Sequence, residues 1–117
     1  MTFDGSIVFF GTENLDYCYD FYVNTLGLTL YKDQGACHIY DTGKGKLGFC
    51  NHIEVINKEK SPIITLLTDN VDKVYNKIIK KGFTVDKKPK LNKQFKIYHF
   101  FIKDPNGYTV EIQKFLD

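Results

Sequence analysis

The chain has 117 residues, a formal net charge of +2, and 43% hydrophobic and 15% aromatic residues. This length and composition predict one compact globular domain, residues 1–117, and argue against a disordered chain or an enzyme with separate cofactor and substrate domains. No apolar run approaches membrane-spanning length, and the first residues lack the pattern of a secretion signal, so we expect a cytoplasmic protein with no membrane partner.

All sixteen basic residues are lysine, and they are concentrated between Lys73 and Lys96. A basic cluster can neutralise the phosphates of a nucleic acid, but a net charge of +2 is small for a dedicated nucleic-acid binder. We therefore predict a solvated helix face and loop, and no nucleic-acid partner. A positive rim that steers an anionic metabolite is an intermediate interpretation.

A repeated pattern organises the chain. Thr, acid, Asn, aliphatic, Asp, two variable residues and Tyr occur in this order at residues 12–19 and again at 68–75. Each copy follows an apolar strand and opens a helical pattern, since Thr or Asn can cap the first amide groups and an acid favours the positive helix end. Gly27 and Gly82 fit positions that end the two helices.

Three strands are predicted after each helix, so the chain has the pattern of an α+β protein made of two βαβββ modules, at about 4–56 and 61–117. The polar segment 57–62, which ends in proline, is the predicted connector. The predicted strands are 28–32, 36–41 and 46–51 in the first module and 83–86, 95–102 and 108–114 in the second.

The sequence Asp104-Pro105-Asn106-Gly107 predicts a tight turn between the last two strands, because proline presets φ and Asn and Gly tolerate positive φ. Alternation along the last strand then places Glu111 on its more polar face. Taken alone, Glu111 is best interpreted as a solvated carboxylate.

The duplicated unit, Asp20-Phe21-Tyr22 with Leu26-Gly27-Leu28, and Asp104 to Gly107 before Glu111 resemble the glyoxalase, bleomycin-resistance and dioxygenase family, also called vicinal oxygen chelate proteins. The resemblance covers nearly the whole chain. It implies a glyoxalase-like fold in which the modules form curved half-barrels around a cavity, paired within one chain or across a dimer. We expect a homodimer.

The resemblance also implies one metal ligand on the first and last strand of each module. The corresponding positions are Ile7, Gly48, Ile63 and Glu111. Only Glu111 carries an oxygen or nitrogen donor in its side chain, whereas catalytic zinc sites typically have three protein ligands. We therefore predict no metal, no cofactor and none of the metal-dependent chemistry of the family.

Two histidines and a cysteine are further candidates for the cavity. Alternation places Cys50 on the side of Gly48, and His99 on the side of Glu111 and diagonal to it, and the repeat suggests that His38 also points inward. An atypical metal site built from His38, Cys50, His99 and Glu111 is conceivable, against the simpler interpretation of hydrogen-bonded histidines and a buried cysteine. The three cysteines are an odd number at unrelated spacings and are predicted to be reduced thiols.

The predicted cavity, whose lining includes Ile63, Phe95 and Phe101, is apolar and aromatic with few polar groups, and it suits a small planar molecule. The first hypothesis is metal-independent binding or sequestration of a small apolar or aromatic ligand. The alternative is a lyase, isomerase or dioxygenase-like enzyme, either metal-free with Glu111 and His99 as catalytic acid and base or with an atypical metal site. A structural dimer with a filled cavity is a third interpretation. The predicted ligand-binding residues are Phe9, His38, Cys50, Thr65, Ile97, Phe101 and Gln113.

Overall fold

The computed structural model describes residues 4–56, 60 and 62–117. The chain divides into two compact units, residues 1–57 and 58–117. Most of the predicted connector at 57–62 lies outside the described residues. Within the described part of the chain, no helix is long and apolar enough to cross a membrane.

The first unit is a four-stranded sheet with one helix. Its strands lie in the order β1-β4-β3-β2, with β1 parallel to β4 and the other neighbours antiparallel. The helix continues without a break into a π-helical segment, Asp20–Thr25. The elements are β1 (Ile7–Gly11), α1 (Leu15–Tyr19), β2 (Thr29–Asp33), β3 (Cys37–Asp41) and β4 (Lys46–Cys50).

The second unit repeats this topology. Its strands lie in the order β5-β8-β7-β6, with β5 parallel to β8 and the other neighbours antiparallel. Both units are therefore βαβββ modules, and the α+β class with two such modules predicted from the sequence is confirmed. The elements are β5 (Ile64–Leu67), α2 (Val71–Lys80), β6 (Lys90–Asn92), β7 (Ile97–Lys103) and β8 (Thr109–Phe115).

The repeated sequence pattern starts both helices by the same hydrogen bonds. The side chain of Asn14 accepts from the Tyr17 amide at 3.0 Å, and that of Asn70 accepts from the Lys73 amide at 3.1 Å. The hydroxyl of the preceding threonine accepts in turn from each asparagine amide, at 3.2 Å in both copies. Asparagine is thus the capping residue and threonine holds it in place.

The cores of the two units differ in composition. In the first unit the ring of Tyr22, from the π-helical segment, stacks between Tyr40 and Phe49 at centroid distances of 5.6 and 4.7 Å. In the second unit α2 buries Val71 and Ile78, and Tyr75 packs edge-on against Phe100 of β7 at 5.3 Å. In each unit the helix covers one face of the sheet. We call the opposite face the helix-free face.

One predicted strand is wrong. Residues 83–86 do not form a strand, and the edge of the second sheet is instead β6, which pairs with the start of β7. The hairpin of β7 and β8 leaves the edge of residues 97–99 available, and residues 90–92 fill it. β-propensity in residues 83–86 is not sufficient without a neighbouring strand to pair with.

Candidate functional site

The last hairpin sets the register of the helix-free face in the second unit. The carboxylate of Asp104 accepts from the amides of Asn106 and Tyr108 at 2.9 and 2.8 Å, and Gly107 has φ of 91°. This turn places Phe101 directly opposite Glu111. Phe100 contacts the helix, so alternation puts its neighbours on the helix-free face.

Glu111 is a buried carboxylate with both oxygens occupied. Its Oε1 accepts from the hydroxyl of Thr65 on β5 at 2.8 Å, and its Oε2 accepts from Nδ1–H of His99 at 2.7 Å. Burial raises the pKa of Glu111, but hydrogen bonds from Thr65, Gln113 and His99 lower it by more, so the pKa lies below its ordinary value of 4.5. Glu111 is therefore an ionised acceptor at neutral pH.

His99 is held in one orientation by this carboxylate. Only 6% of the residue is exposed. Its Nε2 points away from Glu111, is buried, and has no hydrogen-bond partner among the described residues. The ring of Phe101 packs edge-on against the imidazole at a centroid distance of 5.1 Å. Because Phe101 is 42% exposed, it forms a partly solvated cover over His99.

A pocket of about 610 Å³ lies over this pair of residues. The predicted residues Ile97, Phe101 and Gln113 line it together with the predicted pair His99 and Glu111, while Thr65 contacts Glu111. The full lining is Ile63, Lys90, Asn92, Phe95, Ile97, His99, Phe101, Glu111, Gln113 and Phe115.

Three residues of this lining were not found from the sequence. Lys90 and Asn92 lie on the edge strand β6, whereas the sequence predicts the edge strand at residues 83–86. Phe115 lies one residue beyond the predicted end of the last strand, although the alternation from Glu111 through Gln113 continues to it. The signal for Phe115 was therefore present in the sequence.

The first unit carries different side chains at the equivalent positions. Gly48 is paired with Phe9 as Glu111 is paired with Thr65. The ring of Phe9 lies against Gly48, and a Cβ at that position would overlap it. Phe9, predicted to bind ligand, therefore fills the space that Glu111 occupies in the second unit.

The prediction of reduced cysteines is wrong for two of the three. Cys37 and Cys50 are directly opposite each other on β3 and β4 and form a disulfide, while Cys18 is a buried thiol outside this bond. Sequence separation hid this pair, because 13 residues in sequence become adjacent only in the antiparallel sheet. Cys50, predicted to bind ligand, is 1% exposed and uses its sulfur in this bond.

The prediction that His38 points to the helix-free face is also wrong. Its ring lies near Tyr19 of the helix, with a centroid distance of 6.3 Å, and its Nε2 is 3.6 Å from the Asp33 carboxylate. The pairing register makes Ile39, not His38, the equivalent of Phe101. A shift of one residue moves a side chain to the other face of a strand.

The residues at the family's metal positions do not fit a metal ion. Ile7, Gly48 and Ile63 offer no donor side chain, and both oxygens of Glu111 already accept hydrogen bonds. The predicted atypical metal site is also excluded. Two of its four residues, His38 and Cys50, lie on opposite faces of the first sheet and cannot share an ion.

Among the described residues, the one group of three His, Cys, Asp or Glu side chains close enough to share an ion is Cys37, Cys50 and His52. The Nδ1 of His52 lies 3.9 Å from the Cys37 sulfur. The two sulfurs are bonded to each other. They are therefore not available as thiolate ligands in this structure.

Solved structures of other proteins share the fold of this chain. TioX from Micromonospora sp. ML1 superposes with a TM-score of 0.79 at 15% identity, covering 97% of this chain and 99% of that chain. A glyoxalase/bleomycin resistance protein/dioxygenase from Alicyclobacillus acidocaldarius gives 0.78 at 18% identity, with coverages of 97% and 92%. Virulence protein STM3117 from Salmonella typhimurium gives 0.74 at 18% identity, with coverages of 98% and 99%.

No curated protein matches the sequence. The family profile described as glyoxalase/bleomycin resistance protein/dioxygenase superfamily matches residues 7–112, which include every strand of both units except the end of β8. The chain belongs to this superfamily.

Proposed function

We propose that this protein binds a small apolar or aromatic molecule on the helix-free face of the second unit, without a metal ion. The observation that carries the proposal is the pocket of about 610 Å³, whose volume lies in the range of small-molecule sites. Its apolar lining residues are Ile63, Phe95, Ile97, Phe101 and Phe115.

The polar groups of the pocket support orientation of a ligand rather than metal binding. At its wall, Asn92 accepts from the Phe95 amide through Oδ1 and presents its NH₂ donors, while Gln113 donates to Glu111 and presents its amide oxygen. Both oxygens of Glu111 accept hydrogen bonds, from Thr65 and His99. Glu111 therefore contributes shape and negative charge to the pocket rather than an oxygen that coordinates a metal ion. A mainly apolar pocket with a few fixed polar groups is typical of a site for a planar molecule.

A thermal-shift screen of the metal-free protein in EDTA against aromatic metabolites and antibiotics tests the proposal. A ligand at about a hundred times its dissociation constant adds roughly 2.7 kcal/mol, which raises the melting temperature by several degrees. Failure of every compound to stabilise the protein, or a dependence on added metal, would contradict it.

Two variants locate the site. Phe95 lines the pocket and is 63% exposed, whereas Leu91 is 61% exposed and is not part of the lining. We expect Phe95→Glu to abolish the ligand-induced shift, because it places a charge in the apolar wall. Leu91→Glu makes the same chemical change on the same unit and should leave the shift intact. Equal loss in both variants would place the ligand elsewhere.

A second candidate function is metal-free acid–base catalysis, and the hydrogen bond between His99 and Glu111 favours it. A carboxylate that holds Nδ1–H leaves Nε2 as the atom able to take up or release a proton. Compounds that bind in the screen can be incubated in D₂O. Protein-dependent incorporation of deuterium into a carbon–hydrogen bond of the compound, and its loss in His99→Gln, would support catalysis. The absence of this incorporation supports binding alone.

A further inference from the structure

Lys90 stands at the centre of a cationic region beside the proposed site. It is directly opposite His99 in the pairing of β6 and β7, so both side chains lie on the same face of the sheet. A second pocket, of about 210 Å³, adjoins the first and shares Lys90, His99 and Phe101 with it. The remainder of its lining is Asp86, Lys87, Lys88 and Phe100.

The positive charges of this region, on Lys87, Lys88 and Lys90, form no ion pair with any residue that the structure describes. Of the two acids that line the pockets, Glu111 has both oxygens occupied by internal hydrogen bonds, which leaves Asp86 facing three lysines. The two pockets therefore join an apolar, aromatic wall to a cationic edge, and a ligand that matches both has an apolar ring and an anionic group.

We propose that the ligand of the second unit is a small aromatic acid whose anionic group pairs with Lys90 and whose ring contacts Phe95, Phe101 and Phe115. This inference rests on the proposed function and adds the charge of the ligand to it. Because lysine is a flexible point charge without a planar fork, the site selects for negative charge more than for the exact shape of the anionic group.

Three naphthalene compounds of matched size test the charge preference: 2-naphthoate, 2-naphthamide and 2-naphthylmethylamine, each titrated into the metal-free protein by calorimetry at low salt. We expect the carboxylate to bind about fivefold more tightly than the amide, the ratio that an exposed ion pair worth about 1 kcal/mol gives. The cationic amine should bind most weakly. The preference should decrease with added NaCl, because salt screens exposed charges.

Substitution of Lys90 locates the charge. In Lys90→Gln the ratio of carboxylate to amide affinity should fall toward one, because the charge directly opposite His99 is removed. Lys77→Gln removes the same charge from an exposed position on α2, on the other side of the sheet, and should keep the preference. Far-UV circular dichroism confirms that both variants are folded.

The outcomes separate the two proposals. If the amide binds as tightly as the carboxylate in the unchanged protein, the anionic ligand is contradicted and the proposed binding function survives. A preference that persists in Lys90→Gln, or disappears equally in Lys77→Gln, also overturns the assignment to Lys90. If none of the three compounds binds, both the ligand class and the pocket assignment are contradicted.

Discussion

The two units have the same sheet topology but carry different side chains on the helix-free face. In the first unit, Phe9 lies over Gly48, and the chain at Ile53 and Glu54 passes so close to Gly11 that a Cβ there would overlap two carbonyl groups. The Cys37–Cys50 disulfide joins the neighbouring strands of the same face. The first unit thus places an aromatic ring, a disulfide and a backbone segment on this face, with the Phe9 ring still 45% exposed.

In the second unit the equivalent positions carry polar or exposed side chains. Thr65 and Glu111 replace Phe9 and Gly48, and Leu67, at the position of Gly11, is 62% exposed. His99 and Gln113 replace the cysteine pair. The comparison teaches that two copies of one fold can differ in chemistry through substitutions at five paired positions, and the proposed binding function uses the side chains of the second copy.

The largest expected effect comes from Gly11→Ala. The new Cβ would meet the backbone carbonyls of Ile53 and Glu54, which cannot move as a side chain can, so we expect a loss of at least about 3 kcal/mol in the free energy of unfolding. Leu67→Ala, at the equivalent exposed position, should cost less than about 1 kcal/mol. Urea denaturation of both variants measures the difference, and similar losses would contradict the contrast between the units.

Reduction of the disulfide should have the next largest effect. Under denaturing conditions without reductant, the protein should show one reactive thiol, Cys18, and three after reduction. Closure of a loop of this length predicts a stabilisation of about 3 kcal/mol, so reductant should lower the urea midpoint by a corresponding amount. Cys37→Ser should show the lower midpoint with or without reductant. Three reactive thiols in the unreduced protein would contradict the disulfide.

Gly48→Ala tests whether Phe9 fills the first face. The added methyl group would overlap the Phe9 ring, and we expect a cost of about 2 kcal/mol, because the ring must be displaced. In a Phe9→Ala background the same substitution should cost less than about 0.5 kcal/mol. A double-mutant cycle measures this coupling, and additive costs would show that the ring does not restrict residue 48.

Glu111→Gln has a smaller effect that depends on pH. The folded-state pKa of Glu111 lies below 4.5, so its stabilising contribution is fully present above that pH and is lost as the pH falls through the folded-state value. We expect the variant to be less stable than the unchanged protein by about 1 kcal/mol at pH 7, with the difference narrowing below about pH 4. Glu13→Gln removes the same charge at an exposed position and should cost less than about 0.5 kcal/mol at pH 7.

An effect of similar size is expected when the hydrogen-bond donor at Thr65 is removed. Thr65→Val removes one of the hydrogen bonds that lower the pKa of Glu111 while preserving side-chain size. We expect a loss of about 1 kcal/mol at pH 7 and a higher Glu111 pKa, measured by carboxyl ¹³C NMR titration. An unchanged pKa would show that Thr65 does not contribute to holding the carboxylate ionised.

The sequence predicted features that depend on local chemistry and alternation. The capping repeat and the Asp104 turn predicted both modules, and alternation across the last hairpin predicted that His99 and Glu111 share a face. The register between distant strands is harder to predict from sequence. A shift of one residue in the predicted register puts His38 on the wrong face, and the wrong position of the predicted edge strand leaves Lys90 outside the site. The Cys37–Cys50 pair was missed because it depends on which residues oppose each other across two strands.

The most direct test of the central claim is a titration of the ¹⁵N-labelled, EDTA-treated protein with 2-naphthamide, followed by two-dimensional NMR. The account predicts saturable shifts at the amides of His99, Phe101, Glu111 and Gln113, with the equivalent amides of Cys37, Ile39, Gly48 and Cys50 unchanged. Saturable shifts confined to the first unit, or no shifts at all until a metal ion is added, would contradict metal-independent binding by the second unit.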